Sequence, residues 1–255
     1  PTETQTPTIE PIIYNYDNGV SLEDRRSIEL GNTIASRYFI NTFGFRMQHQ
    51  VIMEVRATTP GTNESYLYAD LRNGLYKIFV YTATPDDWQA KSSLTHSQQI
   101  VHERTHLMQD ELSNGVSSSG GSVRGPRWLQ EGNAEYNGYR AMADEGYVTM
   151  NRVRECSIVG VTRSGPTPPL SELETNFTYG SSLNLATLAA ENLVNRAGIR
   201  SLNNFYQLLT RMTWNDAFRT AFGIDVQDFY TQFNQIQQSY PSYYGQPPSF
   251  CVIFP

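Results

Sequence analysis

Apolar residues fall on one side of residues 21–43, at Leu22, Ile28, Ile34, Ala35 and Phe39, and Gly44 follows as a stop. The spacing predicts an amphipathic helix. Over residues 50–58 the period drops to two. Val51, Met53 and Val55 share one side, and the mostly polar Gln50, Ile52, Glu54 and Arg56 share the other, as in a half-buried strand. Pro60 to Asn63 reads as a turn, residues 65–70 as a short strand and Asn73-Gly74 as a tight turn. Residues 75–83 carry β-branched and aromatic side chains on both faces and give the strongest strand signal. A helix follows, buried through Ile100, Val101, Leu107 and Met108 and ending near residue 112. Thr95 and Gln98 have capping-box spacing, so it starts near Thr95, with Ser92 as an earlier alternative.

Residues 113–126 form a Gly/Ser-rich loop, and helical spacing returns over residues 127–145, stopping at Gly146. Residues 147–156 fit a strand or a hairpin. A Pro-rich break covers 164–169, with a helical turn at 170–173 and a loop to Gly180. Residues 181–196 are helical, with Leu183, Ala186, Ala190 and Val194 on one side; residues 201–210, 215–222 and 225–238 complete a helical second half. An aromatic tail with Tyr240, Tyr243, Tyr244 and Phe250 closes the chain. The order of elements predicts an α+β fold. Residues 1–11 are an extended tail or linker. Residues 12–112 form an N-terminal α/β lobe with a small mixed sheet. Residues 113–255 form a mainly helical C-terminal lobe, with an active-site cleft between the lobes.

The helix ending near residue 112 contains His102-Glu103-Arg104-Thr105-His106. A helix turns about 100° per residue, so positions i and i+4 lie roughly 40° apart on one face. His102 and His106 can therefore hold one metal ion together. Glu103, about 100° round, stands beside the ion, where a carboxylate can take a proton from a metal-bound water. A catalytic zinc site needs a third protein ligand and an open position. The metzincin pattern would place Gly at 109 and His at 112, and the chain has Gln109 and Leu112. His49 and His96 are off the motif's face and read as ordinary histidines. Glu131 and Glu135, four residues apart on the next helix, are better placed. One can bind the ion while the other accepts the remaining ring N–H of a ligand histidine. Gly132 would let two helices approach closely.

The motif, followed by Trp128-Leu-Gln-Glu131-Gly-Asn-Ala-Glu135-Tyr136, resembles the gluzincins, the thermolysin-like zinc metallopeptidases of the peptidase MA clan. In motif it is similar to bacterial collagenases and related members. The resemblance is strong over residues 95–140 and weaker at Leu170-Ser-Glu-Leu-Glu174, Tyr179-Gly-Ser-Ser182 and the stretch from Phe222. It implies Zn²⁺ held by His102, His106 and Glu131, with Glu135 behind a ligand histidine and Glu103 as the base. Tyr179 is implied as the donor to the oxyanion, a contribution of roughly 3 kcal/mol in such sites. It also implies a strand near the active helix that pairs with extended substrate, a role assigned to residues 75–83 by analogy. The Gly-x-Met-Glu-Asn motif of the clan's aminopeptidases is absent, which favours an endopeptidase acting on peptide or protein substrates. An aminopeptidase, another zinc hydrolase or a catalytically silent zinc-containing binding protein are the alternatives.

Composition narrows the classes further. The chain has 255 residues, 39% hydrophobic and 17% charged, and a net charge of −6. That balance gives nucleic acid no basic surface to bind. No apolar run is long enough to cross a membrane. Cys156 and Cys251 are too far apart in sequence for a zinc thiolate pair. They suggest one disulfide tying the tail to the body, with two buried thiols as the alternative. With the start at Pro1, which reads as a processed or truncated form, a disulfide suggests an extracellular, cell-surface or periplasmic site. Nothing in the pattern sets an oligomeric state.

Overall fold

The computed structural model describes residues 12–61, 65–71, 75–118, 125–163, 168–243, 251 and 253–254. The predicted tail 1–11, the end of the turn at 62–63 and the Asn73-Gly74 turn lie outside them. So do residues 119–124 of the Gly/Ser loop, residues 164–167, Tyr244 and Phe250.

The fold is α+β, with a four-stranded mixed sheet and eight α-helices among the described residues. In chain order these are β1 (Ile12–Tyr16), α1 (Leu22–Phe43), β2 (Val51–Arg56), β3 (Leu67–Asp70), β4 (Tyr76–Tyr81), α2 (Ser93–Leu112), α3 (Arg127–Asp144) and α4 (Met150–Arg163). A 3₁₀ turn at Leu170–Glu174 leads to α5 (Ser181–Ala197), α6 (Arg200–Leu208), α7 (Trp214–Phe222) and α8 (Val226–Gln238). By internal contacts the chain divides into two compact units, Pro1–Arg104 and Thr105–Pro255, and the division falls within α2. No helix among the described residues is long and apolar enough to cross a membrane.

In the first unit the strand order is β1-β2-β4-β3. β1, β2 and β4 run parallel, and β3 is antiparallel to β4. Val51, Met53 and Val55 of β2 are buried, as the period-two pattern expects, and Glu54 on the opposite face is buried as well; Tyr76, Ile78 and Val80 are the buried positions of β4. β1 occupies five residues to which the sequence pattern assigns no element. One sequence expectation changes here. β4, assigned the substrate-pairing role, is bonded on both sides, to β2 and to β3. Its backbone groups are already used, so it cannot take an added strand. The short strand β3 forms that edge instead.

Helix α1 starts at Ser21, whose Oγ accepts from the Asp24 amide at 3.1 Å, and stops at Gly44 in the left-handed region (φ 68°). It lies tightly against the first half of α2. A Cβ on Gly31 would meet the Ser97 carbonyl oxygen at 2.6 Å and the Ile100 Cβ at 2.7 Å. Arg104, within the histidine motif and fully buried, donates from Nη1 to Asn32 Oδ1 at 3.0 Å, which fixes the roll of α2 on α1. α2 itself begins at Ser93, with Ser92 Oγ accepting from the Thr95 amide at 3.3 Å. Ser92 is thus the cap, the earlier of the two expected starts.

The second unit is helical around a core that includes Trp128, Leu185, Phe205, Phe218, Phe222 and Phe229. Residues 147–156, expected as strand or hairpin, largely belong to helix α4. Val153, Cys156, Ser157, Val159 and Val161 are its buried positions, and the steps 153–156, 153–157 and 157–161 are those of one helical face. That period becomes visible only when the reading continues past residue 156. Thr149 Oγ1 accepts from the Arg152 amide at 3.3 Å at the helix start. The side chain of Arg154 then clamps Glu191 of α5 with two bonds of 2.8 Å.

The expected disulfide is not formed. Cys156 and Cys251 are free thiols that lie close together and share a hydrogen bond. Burial, with the neighbouring thiol second, pushes the Cys156 thiol up to about 12.

Candidate metal centre

Helix α2 presents His102 and His106 one turn apart, as i,i+4 geometry requires. Helix α3 presents Glu131. One ligand-type atom from each of these three residues lies within 4.8 Å of the others. Among the described residues this is the group of histidine, cysteine and acidic side chains that could hold a metal ion. His49 and His96 stand outside it. His49 packs on Tyr76, and His96 stacks on Trp88 with centroids 3.7 Å apart and places Nε2 2.8 Å from the Trp88 carbonyl oxygen.

Two features of α3 aim Glu131. Gly132 sits against α5 so closely that an added Cβ would meet the Ala186 carbonyl oxygen at 2.3 Å, the close approach expected of it. Trp128 anchors the preceding turn. Its indole N–H donates to the Tyr230 hydroxyl at 3.0 Å, which donates to Glu174 at 2.7 Å, and its ring stacks on Phe229. Glu174, noted in the sequence for its place in a motif, therefore supports the Trp128 anchor.

A chain of polar contacts surrounds the His106 and Glu131 side chains. His106 Nδ1 lies 3.0 Å from Gln109 Oε1. Gln109 Nε2 donates to the Gln130 carbonyl at 3.0 Å, which turns its amide oxygen toward the histidine. An amide oxygen only accepts, so His106 Nδ1 carries the proton. In the neutral ring, Nε2 is then a lone pair. It faces Glu131 Oε2 at 3.5 Å. The other carboxylate oxygen, Oε1, accepts from Arg127 Nη2 at 2.7 Å, and Arg127 Nη1 donates to Gln130 Oε1 at 3.0 Å.

Two acceptor atoms facing one another at low exposure repel unless a cation lies between them. A proton on Nε2 can serve, and so can a metal. Ligand atoms around a tetrahedral ion with bonds of 2.0–2.2 Å sit roughly 3.4 Å apart, so the 3.5 Å separation fits one edge of such a site. The donor set, two imidazoles and one carboxylate with a fixed tautomer on His106, suits a divalent metal.

Glu103 is half-buried on α2, next to His102. Glu135 is half-buried one turn beyond Glu131 and accepts a hydrogen bond from Tyr139, whose phenol is raised well above its ordinary value by burial and then by that carboxylate. At Nδ1 the His106 ring meets the Gln109 amide oxygen. Tyr179 precedes α5 on the surface, 69% exposed, with its ring edge-on to Phe177.

Sequence reading missed three contributors. Gln109 served only to exclude the metzincin spacing, although it lies three residues after His106 and so on the same face. Arg127 stands four residues before Glu131, again a helical neighbour. Tyr206 gave no signal; it is buried beside Asn133 and Glu131, and burial raises its phenol strongly. No protein-family model matches the chain, and no curated protein matches it significantly.

Proposed function

We propose that the protein is a zinc-dependent peptidase of the gluzincin type, with His102, His106 and Glu131 as ligands. The observation that carries this reading is the grouping of these three side chains, with the His106 Nε2 lone pair turned on Glu131 Oε2 by Gln109. Zinc is the metal of choice for two imidazoles and one carboxylate, although affinity alone does not exclude cobalt or nickel.

When bound, the ion supplies Lewis acidity, polarising a carbonyl and lowering the pKa of its water toward about 7. The chain's residues do the rest. Glu103 accepts the water's proton and returns it to the leaving amine, a role that suits a half-buried carboxylate beside His102. Gln109 holds the His106 tautomer, and Glu135 is assigned to the remaining ring N–H of His102. Tyr179 is assigned as donor to the oxyanion. A purely structural zinc site fills its fourth position with a protein ligand and has no need of a base there. Intact Glu103 beside a three-ligand group therefore favours an enzyme over a silent binding protein.

The test compares wild type with Glu103→Gln on a denatured-protein substrate, with zinc content measured in both. Cleavage by the wild type alone, with zinc in both, supports the reading. Stoichiometric zinc in both and cleavage by neither favours the binding-protein alternative. Internally quenched peptides with blocked N-termini separate endopeptidase from aminopeptidase: the endopeptidase reading expects cleavage. Tyr179→Phe is expected to lower kcat about 100-fold with KM little changed. An unchanged kcat removes Tyr179 from the mechanism.

A further inference from the structure

We propose that Arg127 is a positioning residue that decides which oxygen of Glu131 faces the metal. The inference rests on the metal reading above and adds a residue to it. Arg127 is the first residue of α3 and Glu131 lies one turn later, so the two side chains share a helix face. The Glu131 side chain is only 2% exposed, and a buried carboxylate needs partners for both oxygens. Arg127 Nη2 takes Oε1 at 2.7 Å. That leaves Oε2 toward His106 Nε2 at 3.5 Å. The guanidinium is itself held, because Nη1 donates to Gln130 Oε1 at 3.0 Å while the Gln130 carbonyl accepts from Gln109. Each contact from the His106 ring through Gln109, Gln130 and Arg127 to Glu131 thus joins the two ligands by a route that does not pass through the metal.

Two effects oppose each other. The positive guanidinium repels a nearby dication. It also holds Glu131 in one rotamer as a single-oxygen ligand, so that metal binding does not have to order it. Arg127 is 31% exposed, and water screens its repulsion. Glu131 is buried, where ordering counts in full. Positioning therefore outweighs repulsion.

A zinc titration against a competing chelator tests this with Arg127→Gln, Arg127→Lys, Glu131→Gln and the Arg127→Gln/Glu131→Gln double variant. Arg127→Gln is expected to weaken zinc binding about 10–100-fold. Arg127→Lys should fall between it and wild type, because an ammonium keeps the charge and loses the two-pronged hold. In the Glu131→Gln background, Arg127→Gln should change the affinity by less than about threefold. Circular dichroism on each metal-free variant checks that it folds, and the lysine variant carries the test if the glutamine variant does not. An unchanged or tighter zinc affinity in Arg127→Gln overturns the proposal, and so does an equal loss in both backgrounds, which marks a general effect on folding. A wild type that binds no zinc removes the metal reading itself, and this proposal with it.

Discussion

Gln109 fixes which nitrogen of His106 carries the proton. Its amide is held by the Gln130 carbonyl, so only the oxygen faces the ring. Gln109→Leu leaves Nδ1–H without that acceptor and frees the tautomer. Zinc affinity is expected to fall about 10–100-fold, as for other partners of metal-bound histidines, and a chelator titration measures it. An unchanged affinity would assign Gln109 to packing alone. His96 gives a second expectation. Burial lowers its pKa below the usual 6.5, so the folded protein holds it neutral while the unfolded chain takes a proton as pH falls. Stability tied to His96 is therefore present above the unfolded pKa and lost as pH drops through it. Denaturant unfolding at pH 7.5 and pH 5.5 should show a smaller loss in His96→Gln than in wild type, and equal losses would contradict this. Cys156 gives a third. With its thiol pushed up to about 12, little thiolate exists at pH 8. Alkylation by iodoacetamide, followed by mass spectrometry, should be about 1,000-fold slower in the folded protein than in the unfolded chain.

At the scale of elements, α3 carries the most consequence. A methyl group at Gly132 would collide with backbone of α5, which cannot swing aside as a flexible side chain could. Gly132→Ala is expected to destabilise by about 1–3 kcal/mol, read as a lower denaturant midpoint. It should also weaken zinc binding, because Glu131 shifts with its helix. The histidines declared themselves because four residues is about one helical turn, and Gly132 because a glycine inside a helix costs backbone entropy that a close approach can offset. Helices α1 and α5 were readable from their period, although Leu22 is exposed and Leu183 and Val194 are only half-buried, and β4 from its β-branched and aromatic content. Helix α4 was not, because the β-branched pair Val148-Thr149 just before it favours a strand and its buried positions continue past residue 156. The strand order was also out of reach. The pattern identifies β4 as a strand, yet only pairing shows that it is interior and that β3 forms the edge. The contacts of Gln109 and Arg127 depend on the facing carbonyl and carboxylate, which sequence spacing only hints at.

The whole molecule brings the metal reading and the environment together. The α+β architecture was expected from the chain and is present, and His102, His106 and Glu131, expected to lie together, form a group that could hold a metal ion. The disulfide was expected and is not formed, and with it goes the argument for an oxidising compartment. Spacing showed two cysteines far apart in sequence; it could not show two thiols meeting without a bond. The net charge of −6 favours the long-range approach of a divalent cation to the chain. The central claim is that one metal ion binds to His102, His106 and Glu131. Anomalous diffraction at the zinc edge from crystals of the zinc-loaded protein tests it most directly. The account predicts one strong peak about 2.0–2.2 Å from an imidazole nitrogen of His102, Nε2 of His106 and Oε2 of Glu131. A peak elsewhere, or none at this position in zinc-saturated crystals, would contradict it.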